Sequence, residues 1–308
     1  MLVDGTTSFA QTGVILYGVV DAGIEFANHQ PGHGNSVVRL TSGNIAGSRW
    51  GLRGTEDLGQ GLRGAFVLES GFDVDTGKSG QGGRLFGRQA YVGVQGSWGG
   101  LLLGRQQSAM FDFIGNFEPM ALATKYSVFT QDPIYVQRAD NTVKYVGVFG
   151  DLAASAFYSF GADSNVANGS EVPGNPKLGR EFGGYVIYTT GPFAVAAAYD
   201  QLNTGTTTVT PDAMTRRASA AATYATGPVK VFAGYRWARA YDGGVVPGAI
   251  PGAANQGSNL YWLGTSWRVT PALGLSAAAY YQDFKNTGRT RGCSLQMLQI
   301  VNSANGAH

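Results

Sequence analysis

From Gly13 to about Phe284 the chain alternates between two kinds of side chain, in stretches of about ten residues broken by Gly, Pro, Asn and Asp. The first stretch shows the rule. Its even positions are Leu16, Gly18, Val20, Ala22, Ile24 and Phe26, whereas its odd positions include Tyr17, Asp21 and Glu25. Successive side chains of a strand point to opposite faces, so one face is apolar and the other carries carboxylates. Two folds satisfy this pattern. A soluble sheet places a protein core on the apolar side; a transmembrane barrel places lipid there and water inside.

Composition narrows the choice. Charged residues are 14% of the chain, against about 25% in an ordinary soluble domain. Gly accounts for 47 of 308 residues and aromatics for 12%, while the mean hydropathy is near zero. No run of about 18 apolar residues occurs, which excludes membrane-spanning helices. A net charge of +2 without a Lys/Arg block implies no nucleic-acid partner. The single Cys293 forms no internal disulfide, and His29, His33 and His308 make no zinc constellation, so no metal or cofactor is expected. A calcium loop starting at Asp73 would need Glu at its twelfth position, where Arg84 stands.

The alternation predicts strands over 14–27, 36–56, 62–74, 84–98, 100–107, 139–149, 151–160, 181–190, 192–202, 215–226, 228–240, 257–269 and 273–284, thirteen in all. No domain boundary or fixed-period repeat interrupts them. Tight turns such as Thr190-Gly191-Pro192 alternate with long segments at 28–35, 108–138, 161–180, 203–214 and 241–256. Outer-membrane barrels sort their connections this way, and a soluble sandwich has no reason to. Aromatics such as Phe66, Phe72, Trp262 and Trp267 fit an interfacial girdle or cross-strand pairs. Arg49 and Arg53 face away from Trp50 and Leu52, and Arg63 and Glu69 face away from Phe66 and Leu68. A guanidinium facing hydrocarbon at midplane costs about 2–4 kcal/mol, so in a membrane these groups point into the lumen. Segment 108–138 sets Asp112, Glu118 and Asp132 among Phe111, Phe113, Ile114, Phe117, Met120 and Leu122. It is too long for a structureless loop and too apolar for water, so it must pack into something.

Four segments in order carry a resemblance: Leu16-Tyr17-Gly18-Val19-Val20-Asp21-Ala22-Gly23, Ser48-Arg49-Trp50-Gly51-Leu52-Arg53-Gly54-Thr55, Arg88-Gln89-Ala90-Tyr91-Val92-Gly93-Val94 and Leu103-Gly104-Arg105-Gln106. Over residues 12–287 the chain resembles the Gram-negative general porins. The resemblance implies an all-β fold: a transmembrane, antiparallel, up-and-down barrel of sixteen strands in the outer membrane, trimeric, surrounded by lipid, with loop three folded into each pore. It implies passive diffusion of small hydrophilic solutes and ions. The motif positions imply a constriction formed by Arg49, Arg88 and Arg138 on the wall and by Glu118 and Asp112 on the loop. Arg53, Arg63, Arg105, Asp21 and Glu69 would line the pore. The excess of arginines over acids implies weak anion preference.

The family pattern stops near Phe284-Lys285-Asn286, which leaves about 13 of 16 strands. The expected organisation is a remnant of a signal or cleavage region at 1–10, a barrel at 11–286 and an aberrant non-barrel tail at 287–308. Losing one G from CGC-GAC-CCG-TGG-ATG-TTC, codons for the family's usual continuation, gives Arg-Thr-Arg-Gly-Cys-Ser, which matches residues 289–294. A frameshift is therefore expected, with an odd strand count, an unclosed sheet and a disordered or helical tail. Two other readings remain: a soluble β-rich binding protein, and an outer-membrane barrel enzyme. The second lacks a Gly-x-Ser-x-Gly nucleophile motif beside His29 and His33.

Overall fold

A computed structural model describes residues 13–30, 34–163, 171–205, 212–247, 250, 255–288 and 291–301, and the expected remnant at 1–10 lies outside them. The strands are β1 (Gly13–Val19), β2 (Ala22–Ala27), β3 (Val37–Ser42), β4 (Arg49–Gly59), β5 (Leu62–Gly71), β6 (Gln89–Gly96), β7 (Gly99–Gln107), β8 (Arg138–Phe149), β9 (Leu152–Ser159), β10 (Glu181–Thr190), β11 (Phe193–Asn203), β12 (Met214–Thr226), β13 (Val229–Tyr241), β14 (Gln256–Thr270), β15 (Leu273–Lys285) and β16 (Gly292–Val301). One short helix, α1 (Ala109–Ile114), follows β7. Fourteen strands form one antiparallel sheet in the order β1-β4-β5 and then sequentially to β16, and β2–β3 is a separate ribbon. That ribbon extends the first hairpin beyond β1 and β4.

The turns reproduce the expected asymmetry. Two-residue connections such as Gly191-Pro192 and Gly227-Pro228 close one edge, and Gly191 and Gly227 adopt φ of 51° and 53° there. Only glycine takes that backbone conformation without strain. The other edge carries all the long connections.

Face assignment follows the alternation. Leu16, Val20, Ile24 and Phe26 are exposed on the outer side, as are Val92, Leu103, Val148 and Leu263. No second sheet covers this face among the described residues. Trp98 stacks on Tyr145 with centroids 6.3 Å apart, and Phe193 meets Tyr224 at 4.8 Å. With exposed Trp267 they form an aromatic belt beside the short turns, where a membrane interface would lie. Trp262 is not part of it. Its side chain is 3% exposed and donates its indole N–H to Phe117 O at 2.8 Å, inside the sheet.

Three expectations need correction. The strands read as 14–27 and 36–56 are each interrupted near their middle. The cause is Asp21, whose carboxylate accepts the N–H groups of Asn44 (2.9 Å), Ile45 (2.8 Å) and Ala46 (2.8 Å) and folds 43–48 out of the ladder. Asp21, expected to line the pore, serves as a backbone clasp. The sheet also has one more strand than the expected thirteen. Residues placed in a non-barrel tail form β16, paired with β15 from Gln282↔Gly292 to Leu273↔Val301. Cys293, Leu295 and Met297 do alternate with Ser294 and Gln296, and the free edge of β15 accepts any chain that offers matching N–H and C=O groups. With this strand, the first and last strands run antiparallel rather than parallel. Among the described residues they are nevertheless the two ends of the sheet and do not pair.

Candidate functional site

Loop three (108–137) folds into the space the sheet encloses. Ser108 caps α1, accepting from Phe111 N. The apolar side chains Met110, Phe113, Ile114, Phe117, Met120, Val128 and Tyr135 are fully buried, packed on Ile187, Ala196, Ala198, Ala221, Leu260, Trp262, Ala278 and Tyr280. These wall residues come from β10, β11, β12, β14 and β15, so the sheet curves around the loop. Small residues at 196, 198, 221 and 278 make room for the loop's large ones. On the other side, Thr124 N and Lys125 N donate to Ile45 O and Asn44 O, both at 3.1 Å. The excursion held by Asp21 is therefore the docking point for loop three.

The loop's carboxylates do not pair with Arg49, Arg88 or Arg138. Glu118 is 3% exposed and accepts from Met120 N (2.8 Å), Leu122 N (3.1 Å) and Val128 N (3.4 Å), and from the Tyr280 hydroxyl. Burial pushes its carboxyl above the ordinary carboxylate range, against the pull of these bonds. Ala121 and Leu122 hold φ of 54° and 58° beside it, a turn that the carboxylate stabilises. Glu118, expected at the constriction, ties the loop to itself and to β15 through its carboxylate. Asp112 pairs with Lys144 of β8, and burial raises its carboxyl too. Asp132 caps Ile134 N at 3.0 Å and pairs with fully buried Arg236, which also donates to Ser258 O at 2.8 Å.

The wall arginines do converge. Arg49, Arg88 and Arg138 line one cavity of about 650 Å³, together with Ala46, Gly47, Phe111, Leu122 and Phe129. Glu69 lies beneath them, 2.7 Å from Arg88 Nε, 3.6 Å from Arg49 Nε and 2.9 Å from the Tyr17 hydroxyl. One carboxylate therefore serves two guanidinium groups. Arg138 donates to Arg88 O (2.8 Å) and Val136 O (3.0 Å), both backbone acceptors. Arg53 stands over the Tyr17 ring at 5.2 Å, and exposed Arg63 lies opposite Asp57 nearer the short turns.

Arg105 joins through an irregularity. Strict alternation would put it outside with Leu101 and Leu103. A bulge at Gly104, where φ is 130° and an added Cβ would lie 2.3 Å from Ala90 O, breaks that alternation. The guanidinium bonds Gly87 O at 2.8 Å and Asp140 Oδ1 at 2.5 Å, and Arg84 shares Asp140 at 3.1 Å. Bulges re-aim side chains in this way. Lys144, Asp140, Arg236 and Arg217 were missed as lumen charges. Parity alone would have found Lys144, which shares a face with Thr142 and Val146.

The site is chemically a cavity with guanidinium groups on one side and a mostly apolar loop surface on the other. A family model of the Gram-negative porins matches residues 5–296. An outer membrane porin protein of Bordetella pertussis is 38% identical over 217 residues, which is 63% of this chain and 55% of the relative. Outer membrane porin protein 32 of Delftia acidovorans is 30% identical over 213 residues, covering 66% and 58%. The chain thus spans little more than half the length of these curated relatives. Among solved structures, an anion-selective porin from Comamonas acidovorans is similar with a TM-score of 0.68 at 21% identity, over 94% of this chain and 98% of that one. Salmonella typhi OmpF in complex with daunomycin gives 0.66 at 17% identity, over 91% and 82%. At such identities the likeness is one of fold.

Proposed function

Because this chain belongs to the Gram-negative porin family, whose place is the outer membrane, we propose that it forms a water-filled pore for passive diffusion of small hydrophilic solutes and ions, with weak anion preference, as part of a homotrimer. The carrying observation is the cavity between the Arg49, Arg88 and Arg138 wall and the inward-folded loop three. The loop is held by buried apolar packing on one side and by backbone bonds to 44–45 on the other, so it narrows the bore without filling it. Cationic rings admit anions by replacing part of their hydration with fixed donors.

The sign of selectivity follows from which charges reach water. Glu118 and Asp132 are buried beneath the loop, and Glu69 is already engaged by two arginines. On the cavity three arginines outnumber Glu69 and Asp73, so anions have the lower electrostatic energy there. The anion-selective solved relative supports the same sign. The proposed role is transport without catalysis: no bond is made or broken.

Proteoliposome swelling tests the reading. Vesicles carrying the folded chain should swell in isosmotic monosaccharides and resist swelling in oligosaccharides too wide for the neck. Equal impermeability to both would reject diffusion through this cavity.

A further inference from the structure

The neck is amphiphilic. Phe111 and Phe129 of loop three stack with centroids 5.8 Å apart and an interplanar angle of 20°. Both are half-buried and, with Leu122, line the cavity that also contains Arg49, Arg88 and Arg138. The acidic groups on that cavity are Glu69, bonded to Arg88, and Asp73 in the exposed connection after β5. An aromatic patch left open to water beside three guanidinium groups that outnumber the two carboxylates on the cavity is a costly surface unless a solute covers it.

Resting on the anion-preferring pore reading, we infer that this neck is a recognition subsite for carboxylates with a planar apolar body, the arene carboxylates, of which benzoate is the simplest. A guanidinium takes the carboxylate by paired charge-assisted bonds. The ring then lies against the stacked phenylalanines, where offset or edge-on packing is favoured. A polyhydroxylated anion of equal charge gains the first contact but loses water from its hydroxyls against Phe111 and Phe129 with nothing in return. A cavity of about 650 Å³ is within the range of small-molecule sites and has room for one such solute, whose presence in the neck obstructs chloride.

Planar bilayers containing the full chain test this. The reversal potential in a potassium chloride gradient is read first. Sodium benzoate or sodium gluconate is then titrated on one side while chloride current is recorded. Half-block by benzoate is expected at a concentration about fivefold below that for gluconate, the ratio one aromatic contact supplies. In the Phe111→Leu/Phe129→Leu variant, which stays apolar but loses the rings, that ratio should fall toward one. Equal half-block by the two anions in the unsubstituted channel, or an unchanged ratio in the variant, overturns the subsite while chloride preference stands. A non-conducting or cation-selective channel overturns the pore reading and the subsite with it.

Discussion

Replacing Glu118 by alanine separates two roles that a loop carboxylate could have. In the structure it receives three backbone N–H groups and the Tyr280 hydroxyl in a buried place. Each donor left without an acceptor costs about 1–3 kcal/mol, of which water entering the vacated volume recovers part. Glu118→Ala should therefore destabilise loop three by about 3–6 kcal/mol, while the sheet keeps its ladders. Glu118→Gln should cost about 1 kcal/mol. Its amide oxygen can serve Met120 N and Leu122 N, its NH₂ can donate to the Tyr280 oxygen, and only the 3.4 Å bond from Val128 N is lost.

Single-channel recording reads the difference. The alanine variant should show large current noise and a wider, fluctuating conductance, with protease cutting in 115–130; the glutamine variant should be nearly silent. Selectivity should change little in the glutamine variant, because the carboxylate does not face the passage. A quiet Glu118→Gln channel with clearly stronger anion preference would refute this placement and restore Glu118 to the constriction.

Other expectations follow from the same geometry. Arg138→Gln removes a cation whose hydrogen bonds go to backbone oxygens; at about 8 Å through water a unit charge contributes about 0.5 kcal/mol, so the chloride-to-potassium ratio should fall about two- to fivefold after screening, read as a reversal potential. Gly104→Ala should lower the temperature at which the folded band is lost on gels, since the backbone strain alone costs about 1–3 kcal/mol and the added Cβ meets Ala90 O. Arg236→Met strands Asp132 and should cost about 3–5 kcal/mol in the same assay, with part recovered in Arg236→Met/Asp132→Leu; equal loss in both would mean the ion pair is not the cause.

The regular part of the molecule was legible because period two is a strict geometric rule. Leu16 and Ile24 lie outside, and Arg49, Arg53 and Glu69 lie inside, as alternation requires. It failed where backbone leaves the ladder. Glu118 and Asp21 carry the right charge for a pore, yet irregular segments expose N–H groups that need acceptors, and no periodicity announces which carboxylate will supply them. Trp262 belongs inside because Gly234, on the facing strand, leaves room for its ring, a cross-strand fact invisible along one strand. Arg105 reaches Asp140 only through the bulge at Gly104. The pairing of Gly292–Val301 depends on an available edge rather than on strong alternation.

Substituted cysteines in a Cys293→Ser background test most directly whether guanidinium groups line water and the apolar side meets lipid. In membranes, Arg53→Cys should react with a charged, membrane-impermeant thiol reagent and lower the conductance stepwise, while Leu16→Cys should stay unmodified until the bilayer is dissolved. Rapid labelling at position 16 with protection at position 53 would contradict it.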